Sequence, residues 1–288
     1  MKFLRAAVIL IYCFLAMLPL VWLLLTSIKP VNDVISPTAK VLPVLSKQSP
    51  DGGIRFQPTV VAYRGLGRPL QGKEHGFYHY LRNSIIIGLL STVASVLLGT
   101  SCAYGFSRFK IAGARDWLFF ILSTRFLPPL VVVVPVLKMY REFELEDTHI
   151  GLIILYTSFN LSLSVWLMKG FIDEIPRAFE EAALVDGYSR MAAFWKIIVP
   201  QARTGMAATA VFCLISAWNE YGFAMILNRT TAVTVPTYFA SLQGNLFESF
   251  PWPRIAAGAL LFVIPIVVFI FLVRNYLLRS LTFGTIKQ

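Results

Sequence analysis

Few residues in this chain have the type and spacing to do chemistry, and they gather in three places. The first is residues 171–203, FIDEIPRAFEEAALVDGYSRMAAFWKIIVPQAR, a charged stretch between two strongly apolar segments. Here Glu180, Glu181 and Asp186 surround Ala178, Ala182, Ala183 and Val185. Small side chains let another protein approach the backbone closely, and the acids suit basic groups on that protein. The plainer reading is an amphipathic connector resting on lipid head groups. Three acids within seven residues oppose it, because the cytoplasmic leaflet is anionic and attracts basic segments. The second place is a set of polar and aromatic residues inside apolar runs: Arg125, Asn160, Ser162, Trp218, Asn219, Glu220 and Tyr221. Their hydroxyl and amide groups suit a hydroxyl-rich ligand, with aromatic rings packing on sugar faces. Hydrogen bonding between helices is the competing use. An intramembrane charge is a functional candidate by default. For Arg125 the alternative is bonding to carbonyls freed by Pro128, Pro129 and Pro135.

The third place is residues 29–83, with eight basic residues against three acidic ones, a net of +5. Loops under about 60 residues normally obey the positive-inside bias, and this one, read as external, runs against it. Long loops translocate despite charge, which is one explanation. The other is a basic vestibule that concentrates an anionic solute or an acidic partner and is weakened by salt. That reading expects an acidic saccharide as cargo, with Arg64, Arg68 and Lys73 near the entry.

Enzymatic classes find little support. The chain has no His-Glu-x-x-His, no Gly-x-Ser-x-Gly and no Cys-His pairing. No His lies deep in an apolar run, which disfavours an intramembrane hydrolase. The run Gly67 to Lys73 mimics a phosphate-binding loop, but Glu74 stands where the Ser or Thr that binds magnesium belongs. His75 and His79 are four apart, yet Gly76 weakens a helix between them and no third ligand is evident.

These residues must be carried by membrane-spanning helices. The chain is 57% hydrophobic and 14% charged, where a soluble domain carries about 25% charged residues. Six runs reach the length of about 20 residues needed to span: Ala6–Ile28, Ser84–Ser107, Asp116–Leu137, Ile150–Phe171, Thr204–Leu227 and Ile255–Val273. The first, preceded by Lys2 and Arg5, reads as an uncleaved anchor. Arg108, Lys110 and Arg115 in one short loop, and Arg274 and Arg279 after the last span, place both termini inside. The expectation is an all-α membrane protein with a single transmembrane domain over 1–288. It divides into an anchor span at 1–28, an external loop at 29–83 carrying a strand or two near Ile54–Val61, and a five-helix core at 84–288. Cys13, Cys102 and Cys213 all fall in spans, so no disulfide is expected.

Within 171–203 the spacing predicts two short helices. Pro176 suits a helix start, Arg177 to Asp186 are helix formers, and Gly187 fits the left-handed position past a helix end. Ser189 can cap a second helix from Arg190 to Val199, with Pro200 preventing its continuation.

The pattern Glu181-Ala182-Ala183, three residues, Gly187, nine residues, Ile197, one residue, Val199-Pro200 resembles the EAA loop of ABC-importer permeases, with Val199 where leucine is usual. The likeness covers about residues 79–288 and is nearest the carbohydrate-uptake branch, in particular the maltose-type second membrane subunit. The run Glu174-Ile-Pro-Arg, the run Ser216-Ala-Trp-Asn-Glu-Tyr and the ending Leu281-Thr-Phe-Gly-Thr are typical of that branch. The insert at about 44–75 departs from it.

The resemblance implies type I importer architecture in a bacterial inner membrane. It implies a heterodimeric pore with a sister permease, two cytoplasmic ATPase subunits and an extracytoplasmic solute-binding protein. ATP and Mg would be bound by the ATPases, leaving this chain with no cofactor and no catalysis of its own, and no nucleic-acid partner is implied. By match, Glu181, Ala182, Ala183, Asp186, Gly187, Ile197 and Pro200 would couple to the ATPase. Residues Phe283 to Gln288 would reach between the ATPases, and the loop at 228–254 would enter the binding protein. An importer of a polyol or glycerol phosphate is the alternative within this class, and a channel without an ATPase the alternative outside it.

Overall fold

The computed structural model describes residues 2–44, 54–70, 72–126, 128–242 and 251–283. Helices dominate: α1 (Lys2–Ser27), α2 (Val31–Val34), α3 (Val61–Leu66), α4 (Phe77–Arg108), α5 (Ala114–Ser123), α6 (Pro129–Glu142), α7 (His149–Asp173), α8 (Arg177–Val185), α9 (Arg190–Ala193), α10 (Val199–Trp218), α11 (Gly222–Leu227), α12 (Val235–Leu242) and α13 (Trp252–Phe283). Among the described residues the only sheet pairs β1 (Leu42–Pro43) with β2 (Arg55–Phe56), parallel, Leu42 opposite Arg55. Five helical segments are long and apolar enough to cross a membrane, or six if a sharply bent pair counts as one.

That bent pair is the expected third span. Ala114–Phe126 and Val131–Glu142 meet at 92°, so Asp116–Leu137 is no continuous helix. Pro128 and Pro129 supply no backbone N–H, and an extended Pro128 (ψ 129°) begins a new helix. Pro135, by contrast, sits inside α6.

The fifth span also differs from the sequence reading, at both ends. It runs as one 29-residue unit from Arg190 to Trp218. Pro200 does not stop the helix after Val199: a π-turn over Phe194–Ile198 leads directly into α10, with Pro200 in its first turn. The wider turn shifts the hydrogen-bond ladder, so the missing N–H falls where it is not needed. The far end stops at Trp218 instead of Leu227, and α11 follows as a separate short helix.

Two compact units emerge. One comprises the residues up to Leu81 with Thr237–Pro265. The segment between α1 and α4, expected to be a loosely ordered loop, is packed here. Lys29 is buried with its Nζ 4.5 Å from the Trp22 ring centre and 5.3 Å from that of Phe56. Burial lowers its pKa, opposed by the charge of Asp33. Tyr63 and Ser27 share a hydroxyl hydrogen bond of 2.9 Å, and Phe56 and Leu66 are fully buried. Phe77, Tyr80, Tyr238 and Phe239 form an aromatic cluster with centroids 5.2–6.2 Å apart. Arg254 Nε donates to the Tyr238 hydroxyl at 2.9 Å. The rings of His75 and His79 stack at 3.9 Å.

The other unit, Arg82–Pro236 with the run from Ile266, holds the charged loop and most of the polar span residues. Its helices approach closely through small residues. A Cβ on Gly99 would strike the backbone and side chain of Ser164, and one on Gly205 would strike the ring and Cβ of Phe171. Ser95 Oγ donates to the Thr157 carbonyl (3.3 Å) and Asn160 Nδ2 to the Cys213 carbonyl (3.1 Å), tying α4 to α7 and α7 to α10.

Candidate functional site

The charged loop is built as its local chemistry dictates. Pro176 caps α8 with an extended backbone (ψ 132°), and Asp186 closes it. Gly187 then adopts φ +86°. Its N–H donates to the Leu184 carbonyl at 3.1 Å, and that of Tyr188 to the Ala183 carbonyl at 3.0 Å. This pair of bonds satisfies the last carbonyls of α8 and sets the angle at which the chain leaves it. Nothing lies within 4 Å of where a Gly187 Cβ would stand, so the constraint on this position is backbone angle and not space. Ser189 Oγ accepts from Ala192 N–H at 3.2 Å and starts α9.

Helix α8 has two unlike faces. Glu180 and Ala183 are buried; Glu181, Ala182, Val185 and Asp186 are exposed, Val185 at 88%. Glu180 is held by α4: Tyr104 donates to its Oε1 at 2.6 Å, and Arg108 Nε lies 3.1 Å from Oε2, an ion pair without an aligned hydrogen bond. The Arg108 Nη2 donates to the carbonyls of Ile172 (3.1 Å) and Ile175 (2.8 Å). Arg177 Nη2 donates to the Ser107 carbonyl (2.9 Å), and Ser107 Oγ to Asp173 Oδ1 (2.6 Å). The end of α4, the end of α7 and the first turn of α8 are thereby one network. Of the loop residues named from sequence, Glu181, Ala182, Asp186, Gly187 and Pro200 are exposed, Ile197 is half-buried and Ala183 buried. Glu180, Arg108 and Tyr104 were missed. The signal was faint: Glu180 and Ala183 are three apart, so they share a face that Glu181 does not.

The polar span residues split. Arg125, Asn160 and Glu220 line one cavity of about 200 Å³ together with Tyr156, Phe159, Ser216 and Phe223. Arg125, in a single turn of 3-10 helix at Thr124–Phe126, donates to the Phe159 carbonyl (3.3 Å) and to Ser216 Oγ (3.4 Å). Those bonds reach α7 and α10, not the carbonyls freed by the prolines of its own broken span. Glu220 caps α11, accepting from Phe223 N–H (2.8 Å), Ala224 N–H (3.2 Å) and the Tyr156 hydroxyl (2.6 Å). Phe159 and Phe223 pack with centroids 5.0 Å apart.

Ser162, Trp218, Asn219 and Tyr221 do not line this cavity. Ser162 is buried and bonds the Phe159 carbonyl (3.2 Å) in its own helix. Trp218 is buried, in reach of Gly88, where an added Cβ would stand 3.3 Å from its ring. Asn219 is exposed and bonds back to the Ile215 carbonyl (2.9 Å); Tyr221 is exposed beside Met225. The overlooked Tyr156 stands four residues before Asn160, a spacing that shares a helix face, whereas Phe159 is adjacent to Asn160 and Glu220 lies past the end of the helix that carries Ser216, so spacing gave no signal there.

At the far end of this unit, Asp147 (φ +56°) gathers the segment after α11. Its carboxylate accepts from the N–H groups of Arg229, Thr230, Thr231 and Ala232 at 3.0–3.1 Å, and from Thr230 Oγ1 at 2.8 Å. Burial pushes its pKa up, but these donors outweigh it and hold the carboxyl below its ordinary value. Asn83 Nδ2 adds bonds to the carbonyls of Thr231 (2.8 Å) and Val233 (3.0 Å). Residues 243–250 of the following loop, 45–53 of the insert and 284–288 of the tail, on which sequence expectations also fell, lie outside the described residues.

A many-helix membrane protein with a polar cavity and a rigidly anchored loop bearing an exposed face is the build of a transporter's membrane component. Residues 95–282 match the family described as binding-protein-dependent transport system inner membrane component, and the chain belongs to that family. Over 94% of its length it is 34% identical to the trehalose transport system permease protein SugB of Mycobacterium tuberculosis, covering 93% of that protein. Over its whole length it is 26% identical to the sulfoquinovosyl glycerol transport system permease protein SmoH of Agrobacterium fabrum, covering 93% of it. Its fold is similar (TM-score 0.73, 24% identity, 96% of each chain covered) to a solved chain of a bacterial ABC transporter involved in the import of the acidic polysaccharide alginate. The type I importer fold and the inner-membrane location follow.

Proposed function

We propose that this chain is one membrane subunit of an ATP-driven importer that takes up a saccharide delivered by an extracytoplasmic binding protein. The observation that carries the importer reading is α8, fixed to α4 on one face through Glu180 and exposed on the other through Glu181, Ala182 and Val185. A helix so built transmits force from whatever docks on it to the spans behind it. The saccharide reading is supported by the cargo named for the relatives, trehalose and sulfoquinovosyl glycerol among them.

In this reading two cytoplasmic ATPase subunits bind ATP and Mg, and each docks one loop of this kind. Closure of the ATPase dimer moves α8 and the ends of α4 and α7 together, and the pore alternates between inward- and outward-facing states. A sister permease completes the pore. Helix α1, whose apolar window is entirely unburied within this chain, is an available surface for it or for lipid. Both termini and the loop at 171–203 lie inside, and the Asp147 end outside.

Reconstitution with a sister permease, ATPase and binding protein tests this. ATP-dependent saccharide accumulation is expected. Uptake that needs no ATP and stops at equilibration would indicate a channel, and uptake of polyols or glycerol phosphate alone would replace the saccharide. Single cysteines at Gly113 and Ser189 should be labelled only from the inner side, and one at Glu144 from the outer side; the reverse pattern contradicts the orientation.

A further inference from the structure

The polar cavity holds two opposite charges, and they are not equally satisfied. Glu220 receives three hydrogen bonds at 2.6–3.2 Å, two from backbone N–H groups and one from Tyr156, so its oxygens are already supplied with donors. Arg125 has five N–H donors and makes two bonds, both to neutral acceptors and both long, 3.3 and 3.4 Å. Among the described residues no ion pair forms at Arg125. Beside it Asn160 is 2% exposed, and its Oδ1 has no hydrogen-bond partner. The cavity therefore offers an unmet cation, an unmet neutral acceptor and an aromatic wall formed by Phe159 and Phe223. A guanidinium matches a carboxylate in a planar, two-bond geometry. The lone amide oxygen can accept from a hydroxyl, and the ring faces suit the apolar face of a sugar.

We infer that Arg125 receives the carboxylate of an acidic saccharide as it passes through this cavity, with Asn160 Oδ1 accepting from a neighbouring sugar hydroxyl. The inference rests on the saccharide-importer reading and narrows it to uronic-acid cargo. A second region is consistent with it: Arg55, Arg64, Arg68 and Lys73 of the first unit are exposed and form no ion pair with a described residue, so that surface is electropositive.

The test uses the complete complex in proteoliposomes, with one binding protein throughout. Uptake of labelled uronic-acid trisaccharides of the gluco, manno and galacto series is compared with uptake of their carboxylate methyl esters. The wild-type complex should prefer an acid over its ester. Arg125→Gln should lower the acid-to-ester ratio by about tenfold or more, the loss of a charge-assisted hydrogen bond, and Arg125→Lys should restore part of it. Ser216→Glu leaves the arginine in place but sets a competing carboxylate beside it, and should lower the ratio in the same way. Because the binding protein is constant, a changed ratio belongs to the membrane complex. An unchanged ratio in an assembled Arg125→Gln or Ser216→Glu complex overturns the inference. Wild-type uptake of the esters alone overturns it while leaving the saccharide importer standing, and uptake of no member of the panel overturns both.

Discussion

Arg108 and Arg125 both lie toward the interior of the helical unit, and they are treated in opposite ways. Arg108 faces Glu180 in an ion pair at 3.1 Å and donates to two backbone carbonyls. Arg125 makes two long bonds to neutral oxygens and lines open space. A buried charge given a counter-charge and two backbone carbonyls fixes the elements that carry those partners, here α4, α7 and α8. A charge left partly supplied contributes little to holding helices together and is available to something that arrives later. In the proposed reading the loop moves as a piece, and the cavity accepts a ligand.

Breaking the tight region should have the larger effect. Glu180→Ala leaves Arg108 buried without its counter-charge, which costs about 3–5 kcal/mol where a buried pair loses one member. The expected outcome is a clear fall in the thermal midpoint of the purified complex and loss of copurifying ATPase. A midpoint unchanged from the parent would mean that the network does not hold the loop.

Gly187→Val attacks the same region through the backbone. A branched side chain at φ +86° is strained by about 1–3 kcal/mol. The inserted permease should lose copurifying ATPase while its own span packing persists, since no neighbour stands within 4 Å of the new Cβ. Gly187→Ala should sit between the two. Normal transport by the valine variant would remove this turn from the coupling path. The loose region answers differently: the substitutions at Arg125 and Ser216 should change which cargo is preferred, by about tenfold.

The smallest expected effect lies at Asp147. Its carboxyl titrates below the ordinary value, so the stability it contributes is present above that value, about pH 4, and is lost as pH falls through the lowered one. The thermal midpoint should fall between pH 5 and the acid limit, and Asp147→Asn should flatten that fall because the amide does not titrate. An identical acid profile in the variant would show that other carboxylates govern it.

Local chemistry was readable in the sequence and tertiary partnership was not. The Gly187 turn and the Ser189 cap follow from residues within a turn of each other, and both appear as expected. The family itself was legible, because its motif is a fixed spacing of turn and docking residues. Pro200 was misjudged because the missing N–H was assumed to end the helix, whereas a π-turn over Phe194–Ile198 absorbs it. The break in the third span was legible from Pro128, Pro129 and Pro135; the adjacent Pro128 and Pro129 divide it, while Pro135 stays inside α6. Glu180 was passed over for Glu181 because its partner Tyr104 is 76 residues away, a separation at which single-sequence spacing is silent. The cavity was half visible: the polar residues stood out against an apolar background, but Ser162, Trp218, Asn219 and Tyr221 face elsewhere, and the aromatic lining looked like ordinary core.

In the proposed mechanism α8 transmits the motion of a docked ATPase because Glu180 locks it to α4. The most direct measurement is the number of ATP molecules hydrolysed per saccharide imported, in proteoliposomes, for the wild-type complex and for Glu180→Gln, which keeps the side-chain shape and removes the charge. The variant is expected to hydrolyse ATP still but to import less for each one, so the ratio rises several-fold. A ratio equal to the wild type's, in a complex that assembles normally, would contradict it.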